Sequence, residues 1–327
     1  MLTVVARTRL YRGGALIAEG FPIAEVSEHL ADPAATVWFD LLTPDAHDLD
    51  AISDELGLHP LAVEDVRQEG QRPKLDRYAS HLFVTCYTVL LDTTTGTLDT
   101  AEIAAFVTER ALVTVRMSNR FDIEKVVERW DSAPDLAKYG VAFLMHGLLD
   151  YAVDTHYAAA EALDEQIESL EDQVFNDLPT DQDMQRRTYE LRKSLVTLRR
   201  VVLPMRELVE SVRRRELRGY DEAMAPYYED VYDHVLRASD WTESLRDLVT
   251  TILDTHLTVR SNRLNVVMKQ VTSWAAIIAV PTAVTGFYGQ NVPYPGFQQE
   301  WGFAVSTVVI VTMSVGLYIA FRRRGWL

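Results

Sequence analysis

The sequence has one cysteine, Cys86, set in an apolar run, so it can build neither an internal disulfide framework nor a cysteine-based metal site. Basic side chains are the minority: 32 Lys and Arg stand against 48 Asp and Glu, a net charge of −16 that argues against nucleic-acid binding. There is no GxGxxG fingerprint, no P-loop, no HExxH helix and no serine nucleophile elbow, and the eight histidines do not cluster at metal-ligand spacing. Without a catalytic constellation the sequence does not read as an enzyme, and it implies no organic cofactor. The stretch 1–14 carries Arg7, Arg9 and Arg12 and lacks the continuous apolar core of an export signal. The most informative absence lies at the other end, where residues 271–321 contain no Lys, Arg or Asp and a single Glu, Glu300.

Within that stretch, residues 271–288 and 302–321 form two uninterrupted apolar runs. As helices they span roughly 27 and 30 Å, enough to cross a bilayer. The connection 289–301, with Pro293, Pro295 and Gly296, is a tight loop at the far surface. Lys269 and Arg322, Arg323 and Arg324 flank the pair, and no basic residue lies in the loop, so both the segment 1–270 and the C-terminus are predicted to be cytoplasmic.

The stretch 227–280 contains neither Gly nor Pro, and Pro226 stands where a first-turn proline is tolerated, which predicts one unbroken helix running into the first span. Val231, Val235, Ala238, Thr242, Leu245, Val249, Ile252, His256 and Val259 step along it by four and three, the seam of a helix bundle. The same step continues as Asn265, Met268, Thr272, Ala275, Ala279, Thr282 and Gly286, now selecting small and polar residues. In lipid such a stripe is either a close helix-packing face or a pore wall, and a pore wall requires several subunits because two helices per chain cannot enclose a conduit.

Ahead of this helix, residues 139–185 carry eleven acids and no Lys or Arg, and residues 186–218 carry eleven bases. Matching apolar stripes and Pro179 predict an antiparallel hairpin. The acidic run is a solvated face partly neutralised by its basic partner, or a field that concentrates cations near a pore mouth. The segment 1–135 alternates β-rich stretches (2–11, 36–41, 81–91, 102–108, 111–117) with helical spacing (44–56, 61–68, 121–130). The expected fold is therefore α+β. A cytoplasmic α/β sandwich (1–135) precedes a helical hairpin (136–225), a stalk helix (226–270), transmembrane helix 1 (271–288), an external loop (289–301), transmembrane helix 2 (302–321) and a basic tail (322–327).

The string Tyr288-Gly289-Gln290-Asn291, ending a proline-bearing span and followed by a short loop and one more span, resembles the signature of the CorA family of divalent-cation channels, the two-span GxN group. Further landmarks in family order are His59-Pro60-Leu61-Ala62-Val63-Glu64-Asp65, Gln71-Arg72-Pro73-Lys74, Pro226-Tyr227, Asp230 to His234, and Asn265 to Lys269. The resemblance implies a funnel-shaped homopentamer in the cell membrane that conducts Mg²⁺, with Co²⁺ or Ni²⁺ as further cargo. It implies that Gly289, Gln290 and Asn291 form the outer selectivity ring, with Gly289 letting the backbone turn. Asn265, Thr282 and Gly286 would line the conduit, Met268 and Val271 would narrow it, and Asp65 and Asp230 would hold a regulatory Mg²⁺ between neighbouring cytoplasmic domains.

Gln290 stands where the family usually has Met, and the loop holds no acid but Glu300. Duller readings stand beside these: Asn291 as a helix cap, Asp65 as a charge on a short amphipathic helix, Asp230 as a first-turn acid favoured by the helix dipole. At the level of function the alternatives are a zinc transporter of the same family and a membrane-anchored scaffold or sensor.

Overall fold

The computed structural model describes residues 5–68, 70–175, 181–216 and 222–327. Its elements are β1 (Val5–Arg12), β2 (Ala15–Glu19), α1 (Val26–Leu30), β3 (Ala35–Leu42), α2 (Ala46–Leu56), α3 (Pro60–Arg67), β4 (Lys74–Arg77), β5 (Leu82–Asp92), β6 (Thr97–Val107), β7 (Ala111–Arg116), α4 (Ile123–Ser132), α5 (Val141–Phe175), α6 (Asp181–Ser211), α7 (Ala225–Tyr288) and α8 (Glu300–Arg323). They fall into two compact units, Met1–Thr251 and Ile252–Leu327, with the division inside α7.

In the first unit the seven strands form one sheet in the order β2-β1-β3-β7-β6-β5-β4, antiparallel except for the β3–β7 pair. Alternation along β3 builds two cores at once. Val37, Phe39 and Leu41 point to the layer of α1, α2 and α3, where they meet Leu49, Ile52, Ala62, Val63 and Val66. Trp38 and Asp40 point the other way, toward α4 and α5. Trp38 donates to Thr114 Oγ1 at 3.1 Å and meets Trp130 of α4 edge to face at 4.8 Å. Asp40 is buried and neutralised by Arg116, whose Nε lies 3.1 Å from both carboxylate oxygens and whose Nη1 donates to the Phe121 carbonyl at 3.0 Å. A buried carboxylate survives only with such pairing.

The helices start and stop where the local chemistry dictates. Asp45 and Asp48 form a reciprocal capping box on α2, and Gly57 ends it with φ 62°. His59 Nδ1 accepts the Leu61 N–H ahead of α3, with Pro60 in the first turn. The sequence reading misses β2, α1 and β4, and the start it gives the first strand, residues 2–4, lies outside the described residues. The hairpin break at Pro179 lies outside the described residues.

Helix α7 is 64 residues long and passes through Pro281 to Tyr288. Within the first unit its seam residues Val231, Val235, Ala238, Thr242, Leu245 and Val249 are buried, and Tyr228 donates its hydroxyl to the Ala142 carbonyl of α5 at 2.7 Å. The basic run of α6 pairs with α7 as well as with itself. Arg213 reaches Glu229 at 3.0 Å and Arg199 reaches Glu243, while the acids Asp150 and Asp154 of α5 are held by Arg129 of α4. The neutralising partner of those two acids is therefore not the adjacent basic helix that the charge pattern suggested.

His156, on α5, is fully buried; its Nε2 donates to the Tyr87 carbonyl at 2.7 Å and its Nδ1 has no partner. Burial pushes its pKa down to about 4, because a second proton would find no acceptor. With an ordinary unfolded-state value near 6.5, the folded state is fully favoured above pH 6.5 and loses stability as pH falls through the window from 6.5 to 4. Thermal unfolding of the purified protein should show this loss, roughly 3 kcal/mol. His156→Gln, which keeps a donor for Tyr87, should flatten that window. An unchanged pH profile in the variant would refute the assignment.

Candidate ion pathway and cation site

The second unit holds both membrane-length apolar helices, the end of α7 and all of α8. They meet along one face of α7. Ser273 is buried, Ile277, Val280, Pro281, Val284 and Tyr288 are half-buried, and Trp274 faces Tyr318 of α8 with ring centroids 6.5 Å apart. At 100° per residue the stripe Asn265, Met268, Thr272, Ala275, Ala279, Thr282 and Gly286 lies roughly 165° around the helix from that face. Every residue of the stripe is exposed, with Val271 at its margin. A Cβ added at Gly286 would meet nothing within 4 Å, so its smallness is not required by contacts inside the chain. At its lower end Asn265 and Thr272 share a hollow of about 590 Å³ with Asn262, Lys269 and Trp326.

Beyond Tyr288 the chain folds into a compact aromatic turn. Gly289 N–H donates to the Thr285 carbonyl at 2.8 Å and Gln290 N–H to Phe287 at 3.3 Å. Tyr294 swings back so that its hydroxyl donates to the Tyr288 carbonyl at 2.9 Å, and its ring meets Tyr288 and Phe297 edge to face. Gly289, Gln290 and Asn291 are all exposed. Among the described residues the Asn291 side chain makes no hydrogen bond to the helix end, which leaves the capping reading without support.

Gly289 is the expected turning residue, but it is not among the glycines with positive φ. The left-handed positions are Gly296 (φ 92°) and Gln298 (φ 61°). A Cβ on Gly289 would lie 3.0 Å from the Thr285 carbonyl, so the position favours glycine by close approach rather than by turning.

Asp65 and Asp230 lie in the first unit on different elements, and no hydrogen bond or ion pair joins them among the described residues. Asp65, on α3, is held by Lys74 at the start of the edge strand β4. The ammonium lies 2.6 Å from Asp65 Oδ2 and 2.9 Å from Asp76 Oδ2, and 5.6 Å from the Phe83 ring centroid. Burial works to lower the Lys74 pKa, but the hydrogen bonds to Asp65 and Asp76 outweigh it and raise it above the ordinary lysine value.

Asp230 is exposed on the first turns of α7, in the field of half-buried His146. Burial lowers the pKa of His146, against the pull of Asp150 and Asp230. Nearby, Asp150, Asp154 and His234 bring ligand atoms within 4.8 Å of one another, a cluster no sequence spacing announces. It is already closed, because Arg129 bonds Asp150 with one Nη and Asp154 with the other. A guanidinium held in this way stays charged and already neutralises the two carboxylates.

A soluble α/β unit carrying two membrane-length helices, one with a polar stripe turned away from its companion, has the build of a membrane transport protein. The family model described as "CorA-like Mg2+ transporter protein" matches residues 33–323, and the chain belongs to that family. It is 29% identical to the cobalt/magnesium transport protein CorA of Thermotoga maritima over 285 residues, covering 84% of this chain and 79% of that protein. Its fold is similar to that of the CorA magnesium transporter from Methanocaldococcus jannaschii, with a TM-score of 0.78, 21% identity and full coverage of both chains. It is similar also to the full-length CmaX protein, with a TM-score of 0.72, 20% identity and coverage of 98% and 97%. The chain is a divalent-cation transporter of this family, a membrane protein and not an enzyme.

The loop geometry yields a contrast between two glycines. A Cβ at Gly302 would collide with the Gly296 carbonyl oxygen, whereas at Gly316 it would meet nothing within 4 Å. Gly302→Ala should lower the stability of the loop by roughly 1–3 kcal/mol, as overpacking does, and should expose a cysteine introduced at Gln298 to faster labelling. Gly316→Ala should leave the labelling rate unchanged.

Proposed function

We propose that the protein is a homopentameric channel admitting Mg²⁺, with Co²⁺ and Ni²⁺ as secondary cargo, down the membrane potential, and that internal Mg²⁺ shuts it by binding between neighbouring cytoplasmic units. The observation that carries this reading is the exposed stripe from Asn265 to Gly286, opposite the face that α8 covers. A lipid-facing anchor has no use for Thr272 and Thr282 on its outer side, whereas a ring of subunits turns that side inward. Both termini then lie in the cytoplasm, as the flanking Lys269 and Arg322 to Arg324 favour.

Mg²⁺ gives up its water reluctantly, so neutral oxygen donors suit it in transit. Five copies of Asn291 and of the backbone at Gly289 and Gln290 would receive the hydrated ion through its water protons and release it again, where a carboxylate ring would retain it. Asn265, Thr272, Ala275, Ala279, Thr282 and Gly286 line the way, and Met268 with Val271 forms the apolar narrowing. A doubly charged ion gains about 4.6 kcal/mol per 100 mV on entry, twice the single-charge value, so no nucleotide is needed.

For regulation, the donors of Asp65 and Asp230 are hard carboxylate oxygens of the kind Mg²⁺ takes. Asp65 is held by the Lys74 ammonium, which a dication bound there would have to displace. A bound dication would supply charge neutralisation across the subunit boundary. Asp230 lies on the same helix as Met268 and Val271, which gives closure a covalent route to the narrowing.

Mass measurement in detergent should give five chains. A cysteine at Gln298 should be labelled from the external side alone. In liposomes holding the protein, an inside-negative potential should speed Mg²⁺ entry. Asn291→Ala should reduce that entry at least about tenfold with the pentamer intact, and Gln290→Met should alter the order of preference among Mg²⁺, Co²⁺, Ni²⁺ and Zn²⁺. Unaltered entry in Asn291→Ala at normal incorporation, or a monomeric mass, would remove the basis of the pore reading. Zn²⁺ flux that follows a pH gradient and ignores the potential would favour the coupled zinc transporter.

A further inference from the structure

The carboxylate assigned to regulation already has a cation of its own. Lys74 reaches Asp65 from the edge strand β4, 2.6 Å from Oδ2, and at the same time touches Asp76 at 2.9 Å. The three side chains are partly shielded, at 21%, 24% and 40% exposure for Lys74, Asp65 and Asp76. The group carries one positive and two negative charges. A dication arriving at Asp65 would face an ammonium at contact distance, and that repulsion is relieved only if the ammonium leaves.

Lys74 is built to leave. Its charge is a compact point on a flexible stem, unlike the planar fork with which Arg129 closes Asp150 and Asp154. Asp76 offers it a second acceptor two residues along the same strand, so giving up Asp65 does not strand a half-buried ammonium without a partner.

We propose that Lys74 is a tethered competitor for the regulatory cation at Asp65, and that its release from Asp65, with Asp76 kept as its partner, sets the Mg²⁺ concentration at which the site fills. The proposal rests on the reading of Asp65 as a regulatory residue. It assigns a residue outside the ligand set the task of weakening binding, so that the site responds to a free cation concentration rather than staying permanently occupied.

The test is Mg²⁺-dependent protection of the full-length protein from protease in detergent, titrated with MgCl₂ alone, with the thermal midpoint as a second readout. Lys74→Gln should move the half-protecting concentration at least tenfold lower. Lys74→Arg, which keeps the charge and adds a two-pronged grip, should move it upward. Asp76→Asn, which removes the alternative acceptor, should move it upward at least threefold. These last two variants retain a cation at Asp65, so the proposal stays testable if Lys74→Gln folds poorly.

Asp65→Asn should abolish the Mg²⁺ dependence in every background. If Asp65→Asn abolishes it while the Lys74 and Asp76 variants keep the wild-type midpoint, the competitor role is wrong and the site reading stands. If Asp65→Asn keeps the wild-type midpoint, the site reading fails and the competitor role fails with it.

Discussion

One helix has to serve as protein core along part of its length and as a membrane wall along the rest, and α7 does so without a break in its backbone. Around Val231 to Val249 its seam is apolar and buried, the ordinary arrangement of a bundle helix. In the membrane segment only one side is covered, by α8, and the opposite side turns small and polar. Hydrophobic burial cannot drive helix association inside lipid, so such a side is explained by close packing or by water against it. Among the described residues that side stays exposed, with Trp326 near only its Asn265 end. That exposed half of a single helix is the surface the proposed ring of subunits would use, and the α8 contact through Ser273 and Trp274 leaves it free.

Charge is handled in the first unit by two devices of different permanence. Arg116 on Asp40 and Arg129 on Asp150 and Asp154 are many-pronged, and each serves elements far apart in sequence. Removing Arg116 would leave the buried Asp40 carboxylate without its charged partner, a large cost. Lys74 holds Asp65 and Asp76 by single contacts. The acidic character of the chain is thus not spread evenly in effect: some carboxylates are gripped by a guanidinium fork, and others share a single ammonium.

Much of the architecture was legible because long periodic segments speak clearly. The uncharged runs at 271–288 and 302–321 and the Gly-free and Pro-free stretch before them gave the helices α7 and α8 nearly in full. Short edge strands did not announce themselves: β4 reads Lys-Leu-Asp-Arg, and β2 leaves Leu16 and Ile17 exposed, so neither has the alternation that marks a half-buried strand. Clusters made by folding were also invisible. His234 and Asp154 sit on different helices far apart in sequence, and the Arg129 that closes the acidic pair comes from a third helix. Gly289 reads as the turning residue because glycine so often is one. The actual positive-φ positions, Gly296 and Gln298, follow from how the aromatic turn folds back on Tyr288.

The hydroxyl of Thr282 donates its proton to the Ile278 carbonyl one turn back, at 3.0 Å. With that proton committed, the outward side of the oxygen offers lone pairs only. At this one position the side chain is one-handed in its hydrogen bonding: it can receive a water proton and has none to give. A neutral hydroxyl on a helix segment without charged side chains is in this manner made acceptor-only by where it spends its single proton.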